Sequence, residues 1–368
     1  MRFAIAAIVA TAALHAAAAD YPKPLDIGSP APAFDLPGVD GQNHTLDEYA
    51  DAQVLVIIFT CNHCPTAQAY EDRIIAIHKD YKDKGVALVA ISPNDPLALR
   101  LDELGYTDVG DSFEDMKIRA AKKVFQFPYL YDGETQAVSR QYGPQSTPHA
   151  FVFDKDRKLR YRGRIDDAER AGHAATPDLR NAIDALLAGQ PVPVETTRTS
   201  GCSTKWSDKR PTVVASLEAW AQEDVALNPI EADAVAAIAK NDSEKLRVVN
   251  VWATWCGPCK AEFPQLVEMF RMYRGRDFEM ITINIDAPAE RGKVLEFLQQ
   301  QEASMTNYQY TGESADALAE ALDPEWEGPV PYTVIIAPGG DIIFRQPGAF
   351  EPLEVKRAIV GQIGRIYK

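Results

Sequence analysis

The apolar positions of this chain fall into a pattern that occurs twice. In the first half, Val54 to Phe59 (VLVIIF) is an unbroken apolar, β-branched run, as in a strand buried on both faces. QAYEDRIIAIHKDYKDKG follows, with Ile74, Ile75 and Ile77 at helical spacing and Gly85 as a stop. VALVAIS predicts a second buried strand, and Phe113 to Val124 a helix. HAFVFD and LRYRGRI, split by the turn-like KDRK, predict a hairpin. DLRNAIDALLAG then predicts a closing helix that ends at Gly189.

The second half repeats the order. NPIEADAVAAIAK predicts a helix, LRVVNVWA a strand, and CGPCKAEFPQLVEMFRMYRG a helix. FEMITINID predicts a strand and ERGKVLEFLQQQ a helix. YTVIIAP and DIIFRQPG predict a hairpin around Pro338-Gly339-Gly340, and EPLEVKRAIVGQIG a last helix. Strand–helix–strand followed by a hairpin and a helix predicts an α/β fold in each half, a mixed central sheet flanked by helices. Between the halves, PVPVETTRTSGCSTKWSDKRP has no periodicity. The expected organisation is a domain over 24–195, a linker over 196–215 and a second domain over 216–368.

Composition narrows the class. The chain has 368 residues, more than one core usually organises, and 46% hydrophobic and 25% charged residues exclude disordered and collagen-like proteins. Residues 1–19 have one basic residue, Arg2, then an Ala/Ile/Val run, and Ala17-Ala18-Ala19 offers a small-residue cleavage site. That is the pattern of a signal peptide rather than a spanning helix. The expectation is an exported, periplasmic or otherwise extracytoplasmic protein, soluble and not stably inserted in a membrane. With 53 acidic against 38 basic residues, nucleic acid and anionic membrane surfaces are poor partners.

The cysteines carry the candidate chemistry. Cys61 and Cys64 form one C-x-x-C pair, Cys256 and Cys259 another, and Cys202 is left over. Pairs so close in sequence staple almost no loop, so their value as scaffolding is small. Each pair ends its own buried strand, which argues against one shared zinc site and for two redox sites. No cofactor is implied.

NVWATWCGPC (250–259) with Glu262-Phe263-Pro264 resembles the thioredoxin fold, and most closely exported proteins of the TlpA/ResA type, over about residues 228–368. Residues 27–206 resemble the redoxin or AhpC/TSA-like branch, through IGSPAPAFDLPGVDG, FTCNHCP, YEDRI, VALVAISPND, STPHAFVFD, LRYRGRIDD and GCSTKW. The resemblance implies two thioredoxin-like folds in tandem and an enzyme, a thiol–disulfide oxidoreductase. Its partners would be protein disulfides, dithiols or other redoxins, with an upstream membrane electron donor.

A cysteine at a helix N-terminus meets unpaired N–H groups and the positive helix end, which favour the nucleophilic thiolate. Cys61 and Cys256 are therefore the expected attackers, resolved by Cys64 and Cys259 through Cys61–Cys64 and Cys256–Cys259 disulfides. Gly257-Pro258 is the spacer of reducing thioredoxins by resemblance. His63 instead puts an imidazole beside the Cys61 sulfur. A cation there would stabilise the reduced form and make the first couple the more oxidising, within a range of ~−270 to ~−120 mV for such proteins.

The resemblance also implies that Pro148 and Pro331 are cis and face the two cysteine pairs, leaving the neighbouring backbone free for an extended substrate. It places Asn250 where thioredoxins carry a buried Asp, and gives Glu262 the role of assisting the resolving cysteine. Counted from Cys61, the matching positions in the first half are Leu55 and Ala67.

Two alternatives stand beside this reading. Cys64-Pro65-Thr66 resembles the peroxidatic stretch of thiol peroxidases, although Cys61 and Ile57 replace the Thr and Pro usual there. Cys61, Cys64 and His149 could instead form a soft-metal site, copper above all, in a metal chaperone. Cys202 is left as a free thiol, an intermolecular partner or a third relay cysteine.

Overall fold

The computed structural model describes residues 21–364; the expected signal segment lies outside the described residues. The first half begins with a hairpin of β1 (Asp35–Pro37) and β2 (Asn43–Thr45). Then come β3 (Val54–Phe59), α1 (Pro65–Tyr81), β4 (Val86–Ser92), α2 (Phe113–Lys123), β5 (Tyr129–Tyr131) and α3 (Ala137–Tyr142). β6 (Ser146–Thr147), β7 (His149–Phe153), β8 (Leu159–Gly163), α4 (Asp178–Leu187) and β9 (Cys202–Ser203) complete it. The central sheet has the order β5-β4-β3-β7-β8, with β7 antiparallel to both its neighbours and the other strands running one way.

Every residue of β3 is fully buried because both sheet faces are covered. Val54, Val56 and Ile58 face Tyr70, Ile74 and Ile77 of α1 and Leu179 and Ile183 of α4. Leu55, Ile57 and Phe59, pointing the other way at period two, face Phe34, Tyr142 and Phe151. At roughly 25 cal/mol per Å² of apolar surface, this double burial is the main stabilisation of the strand that carries the first cysteine pair.

The second half contains β10 (Asn228–Ile230), α6 (Ala232–Lys240), β11 (Leu246–Trp252), α7 (Gly257–Tyr273), β12 (Phe278–Asn284) and α8 (Arg291–Gln300). β13 (Thr306–Tyr310), α9 (Ala315–Leu322), β14 (Tyr332–Ile336), β15 (Ile342–Pro347) and α10 (Pro352–Ile363) follow. Its sheet order is β10-β13-β12-β11-β14-β15. The expected strands and hairpins form where the pattern placed them. One helix is shorter than expected: Asn228–Ile230 pairs in parallel with β13, so the helix starts only at Ala232.

The stretch between the halves is structured. Thr196 bridges Arg162, and β9 pairs antiparallel with β6. Gln136 Nε2 and the Asp95 N–H donate to the Lys205 carbonyl, while the Lys205 N–H donates to Asn94 Oδ1. Residues 196–206 thus strap across the first unit. α5 (Arg210–Ala221), with none of its residues buried, leads on to the second. Among the described residues no helix is long and apolar enough to cross a membrane.

Candidate active sites

In the second unit, β11 ends at Trp252 and Cys256 becomes the N-cap of α7, its Sγ accepting the Cys259 N–H at 3.2 Å. Cys256 and Cys259 are joined as a disulfide. Both sulfurs are covered, but their surroundings are open: Trp255 is 66% exposed, and Gly257 and Pro258 are exposed too. The Val330–Pro331 bond is cis and leads directly into β14.

Glu262 is buried one turn beyond Cys259. Asn250 Nδ2 donates to its Oε1 at 3.0 Å and the Phe350 N–H to its Oε2 at 3.2 Å. Burial outweighs these two bonds and pushes the carboxyl up to about 7. The Asn250 amide also donates to Thr333 Oγ1 at 2.9 Å. The residue that departs from thioredoxins and the acid expected to assist therefore act as one hydrogen-bonded pair.

The first unit differs in register. The residue after the cis proline pairs with Phe59 in one unit (His149) and with Val251 in the other (Tyr332). Phe59 also pairs with Ile91 as Val251 pairs with Ile283. Cys64 stands five positions beyond Phe59, as Cys256 stands five beyond Val251. Cys64, not Cys61, is accordingly the N-cap of its helix, its Sγ accepting the Ala67 N–H at 3.4 Å. Cys61 matches Ala253, and Ala67 matches Cys259. The position of Glu262 is taken by Tyr70 and that of Asn250 by Ile58. This corrects the alignment of Cys61 with Cys256, and with it the choice of Leu55 and Ala67. Counting from the first cysteine of each pair misleads by three residues because the loop after β3 carries its extra cysteine before the helix start.

The electrostatics follow that register. Burial and the neighbouring Cys64 and Asp111 hold the Cys61 thiol well above its ordinary value. Burial would also raise Cys64, but the Cys202 and Cys61 thiols hydrogen-bond to it, His63 supplies positive charge and Ala67 donates its N–H. The net direction for Cys64 is well below the ordinary thiol range, so the thiolate belongs on Cys64 and a proton on Cys61. Cys61 Sγ lies 3.0 Å from Thr147 Oγ1.

His63 lies beside Cys61, as the sequence suggested, with donor atoms of the two within 4.8 Å, and its charge acts on Cys64 as well. It is 1% exposed, and its Nδ1 is 2.6 Å from Asp111 Oδ2. Burial disfavours the imidazolium, but the Asp111 carboxylate raises its pKa overall. Asp111 also accepts from the Asn62 N–H (2.9 Å), the His63 N–H (3.0 Å) and Asn94 Nδ2 (2.7 Å). These contacts hold the carboxyl below its ordinary range despite burial. Sequence reading missed Asp111 and Thr147. Asp111 lies in an aperiodic loop with no motif to mark it, whereas Thr147 could have been found as the residue before Pro148, whose bond to Thr147 is cis.

The metal alternative changes its ligands. His149 starts β7, its Nδ1 accepts the Gln145 N–H at 3.2 Å, and burial keeps it neutral, with its pKa down at about 3. It is not grouped with the thiols. The donor atoms that lie within 4.8 Å of one another belong to Cys61, His63 and Asp111. Asp111 is already engaged by hydrogen bonds, one of them to His63 Nδ1, while His63 Nε2 is buried without a hydrogen-bond partner among the described residues.

Comparison with known proteins is consistent with this geometry in both halves. The AhpC/TSA family matches residues 27–162 and again 216–345. The thiol-disulfide oxidoreductase ResA of Oceanobacillus iheyensis is 30% identical over 95 residues, 26% of this chain and 45% of the relative. A Mycobacterium tuberculosis protein named “Putative peroxiredoxin Rv2521” is 31% identical over 138 residues, 36% of this chain and 80% of its own. The crystal structure of an uncharacterized conserved protein from Geobacillus kaustophilus is 39% identical, with a TM-score of 0.44, covering 50% of this chain and 93% of that one. The chain spans about half the length of the ResA relatives it matches.

Proposed function

From a chain that belongs to the AhpC/TSA family in both halves and carries two thioredoxin-like folds in tandem, we propose an exported thiol–disulfide oxidoreductase with two C-x-x-C sites. The observation that carries this reading is the repeated placement of a cysteine as helix N-cap at the end of a buried strand, with a cis proline opening the antiparallel strand beside it. Such a cysteine is a stabilised thiolate, the species that attacks a disulfide.

In the second site Cys256 attacks a protein disulfide and Cys259 resolves the mixed disulfide. Glu262, half-protonated near neutral pH, exchanges the proton of the resolving thiol. In the first site Cys64 attacks and Cys61 resolves, with Thr147 against the Cys61 sulfur and the His63–Asp111 pair stabilising the Cys64 thiolate. In the second site the cis Pro331 offers adjoining backbone to an extended substrate segment, whereas at the first the backbone of Thr147 is paired with β9. Electrons would come from a membrane-bound dithiol donor and go to protein disulfides or partner redoxins. The tether gives each site a high effective concentration for the other.

Trapping tests this. The Cys259→Ser variant, and a Cys61→Ser variant that also carries Cys202→Ser, should accumulate mixed disulfides with exported proteins through Cys256 and Cys64. A chain that stays monomeric under non-reducing electrophoresis in both variants would defeat the reading. A second reading, thiol peroxidase, is favoured by one observation: Cys64, in the stretch Cys64-Pro65-Thr66, is the N-cap thiolate. Peroxide consumption that is lost in Cys64→Ser and kept in Cys256→Ser would favour it.

A further inference from the structure

The first site holds a third sulfur. Cys202 lies on the 196–206 strap, where β9 pairs Cys202 with Thr147, the residue whose hydroxyl touches Cys61. The Cys202 N–H donates to Cys64 Sγ at 3.3 Å, and the Cys202 side chain packs on the cluster of Cys61, Cys64 and Ala67. The strap is seated closely there: a Cβ on Gly201 would come within 2.0 Å of the Thr147 carbonyl oxygen.

The surroundings of the two sites are opposite. Cys256 is flanked by exposed residues, whereas Cys61, Asn62, His63 and Cys64 are all buried, none more than 3% exposed. Cys202 is the cysteine of the first site that reaches solvent. Its neighbour Gly201 and Pro148 both line a groove of about 450 Å³, together with Tyr70 and Arg164.

We propose, resting on the thiol–disulfide reading of this site, that Cys202 is its outlet: it exchanges with the oxidised Cys61–Cys64 pair and carries the disulfide to the surface. The Cys202 thiolate attacks Cys64 Sγ. A Cys64–Cys202 bond forms, the Cys61–Cys64 bond breaks, and Cys61 leaves as a thiolate that takes up the proton Cys202 gave up. The step is an isomerisation with no net transfer of electrons. A partner thiol entering from the groove then meets the outer sulfur of the new disulfide. In the reducing direction the same steps run backwards.

The test is disulfide mapping on the full chain. The protein is titrated with glutathione disulfide, quenched in acid, alkylated, digested and analysed by mass spectrometry. Wild type should give both Cys61–Cys64 and Cys64–Cys202 peptides, and Cys61→Ser should convert almost wholly to Cys64–Cys202. Cys61→Ala serves as the second variant if the serine hydroxyl disturbs folding. Cys202→Ser should slow re-reduction of the first site by a folded dithiol protein at least tenfold, while dithiothreitol still reduces it. The proposal is overturned if Cys61→Ser and Cys61→Ala leave Cys202 fully alkylated and Cys64 joined to glutathione. Mapping requires no physiological substrate, so its failure is separate from a failure of the trapping experiment.

Discussion

Glu262 is the residue whose protonation is felt in both stability and turnover. Its carboxyl titrates near 4.5 in an unfolded chain and at about 7 in the fold. Between those values the native state binds more protons than the unfolded state, so stability falls as pH rises through that window. Glu262→Gln should remove the slope: thermal unfolding of wild type from pH 5 to pH 8 should show a decline that the variant lacks. The same variant, with Cys259 in place, should lose the apparent pKa near 7 from the pH profile of resolution of Cys256 mixed disulfides, and resolution should slow on the order of tenfold or more. A profile that keeps this pKa in Glu262→Gln would assign the proton exchange elsewhere. Asp111 is the corresponding residue of the first site. Asp111→Asn leaves His63 buried without its counter-charge, a change that costs about 3–5 kcal/mol when one partner of a buried pair is removed. A lowered urea midpoint should accompany loss of the low-pKa thiol, read by iodoacetamide labelling of Cys64 against pH. All five cysteines and Glu262 were legible in the sequence as chemistry. Which cysteine of the first pair caps its helix was not, because it depends on where the helix starts, and a C-x-x-C spacing is silent about that.

At the level of elements, long apolar runs were legible and short or polar pairings were not. β3 and β4 are strands buried on both faces that a continuous apolar run announces; β11 and β12 are as buried, and their apolar residues are interrupted by Arg247, Asn250, Glu279 and Thr282. β13 reads Thr-Asn-Tyr-Gln-Tyr; its polar Asn307 and Gln309 are buried through side-chain hydrogen bonds to loop carbonyls. The two-residue strands β6 and β9 have no periodicity at all, yet they bring Cys202 to the first site. Their pairing makes a prediction of its own. Gly201 has a φ of +138°, and a Cβ there would strike the Thr147 carbonyl. Gly201→Ala should lift β9 away from β6 without touching either core. Cys202 should then be alkylated several-fold faster under native conditions, with little change in global unfolding. Equal labelling rates in both proteins would mean that the strap tolerates the methyl group in place.

At the scale of the whole molecule, the two units are not independent beads. Leu101 and Leu104 of the first pack against the core of the second. Tyr273 Oη donates to the Thr107 carbonyl at 2.9 Å, and Arg276 Nη1 to the Gly105 carbonyl at 2.7 Å. Tyr273 is the last residue of α7, the helix capped by Cys256, and Arg276 lies three residues beyond it. Both acceptors lie in the loop that runs on to Asp111, which holds His63 against the first site. One continuous set of contacts therefore runs from one redox centre to the other. Stabilising the thiolate favours the reduced form, so the first couple should be the more oxidising, and the His63–Asp111 pair is the part that makes it so. Arg276→Ala withdraws one anchor of the Asp111 loop from a distance, in the other unit. Titration against glutathione with mass-resolved alkylation should show the first couple shifting towards more reducing potentials, where a tenfold change in equilibrium is about 30 mV. The Cys256–Cys259 couple should stay where it is, since Arg276 touches neither of its sulfurs. If neither potential moves, the loop holds Asp111 without help from the second unit, and any communication between the sites must pass through thiol exchange alone.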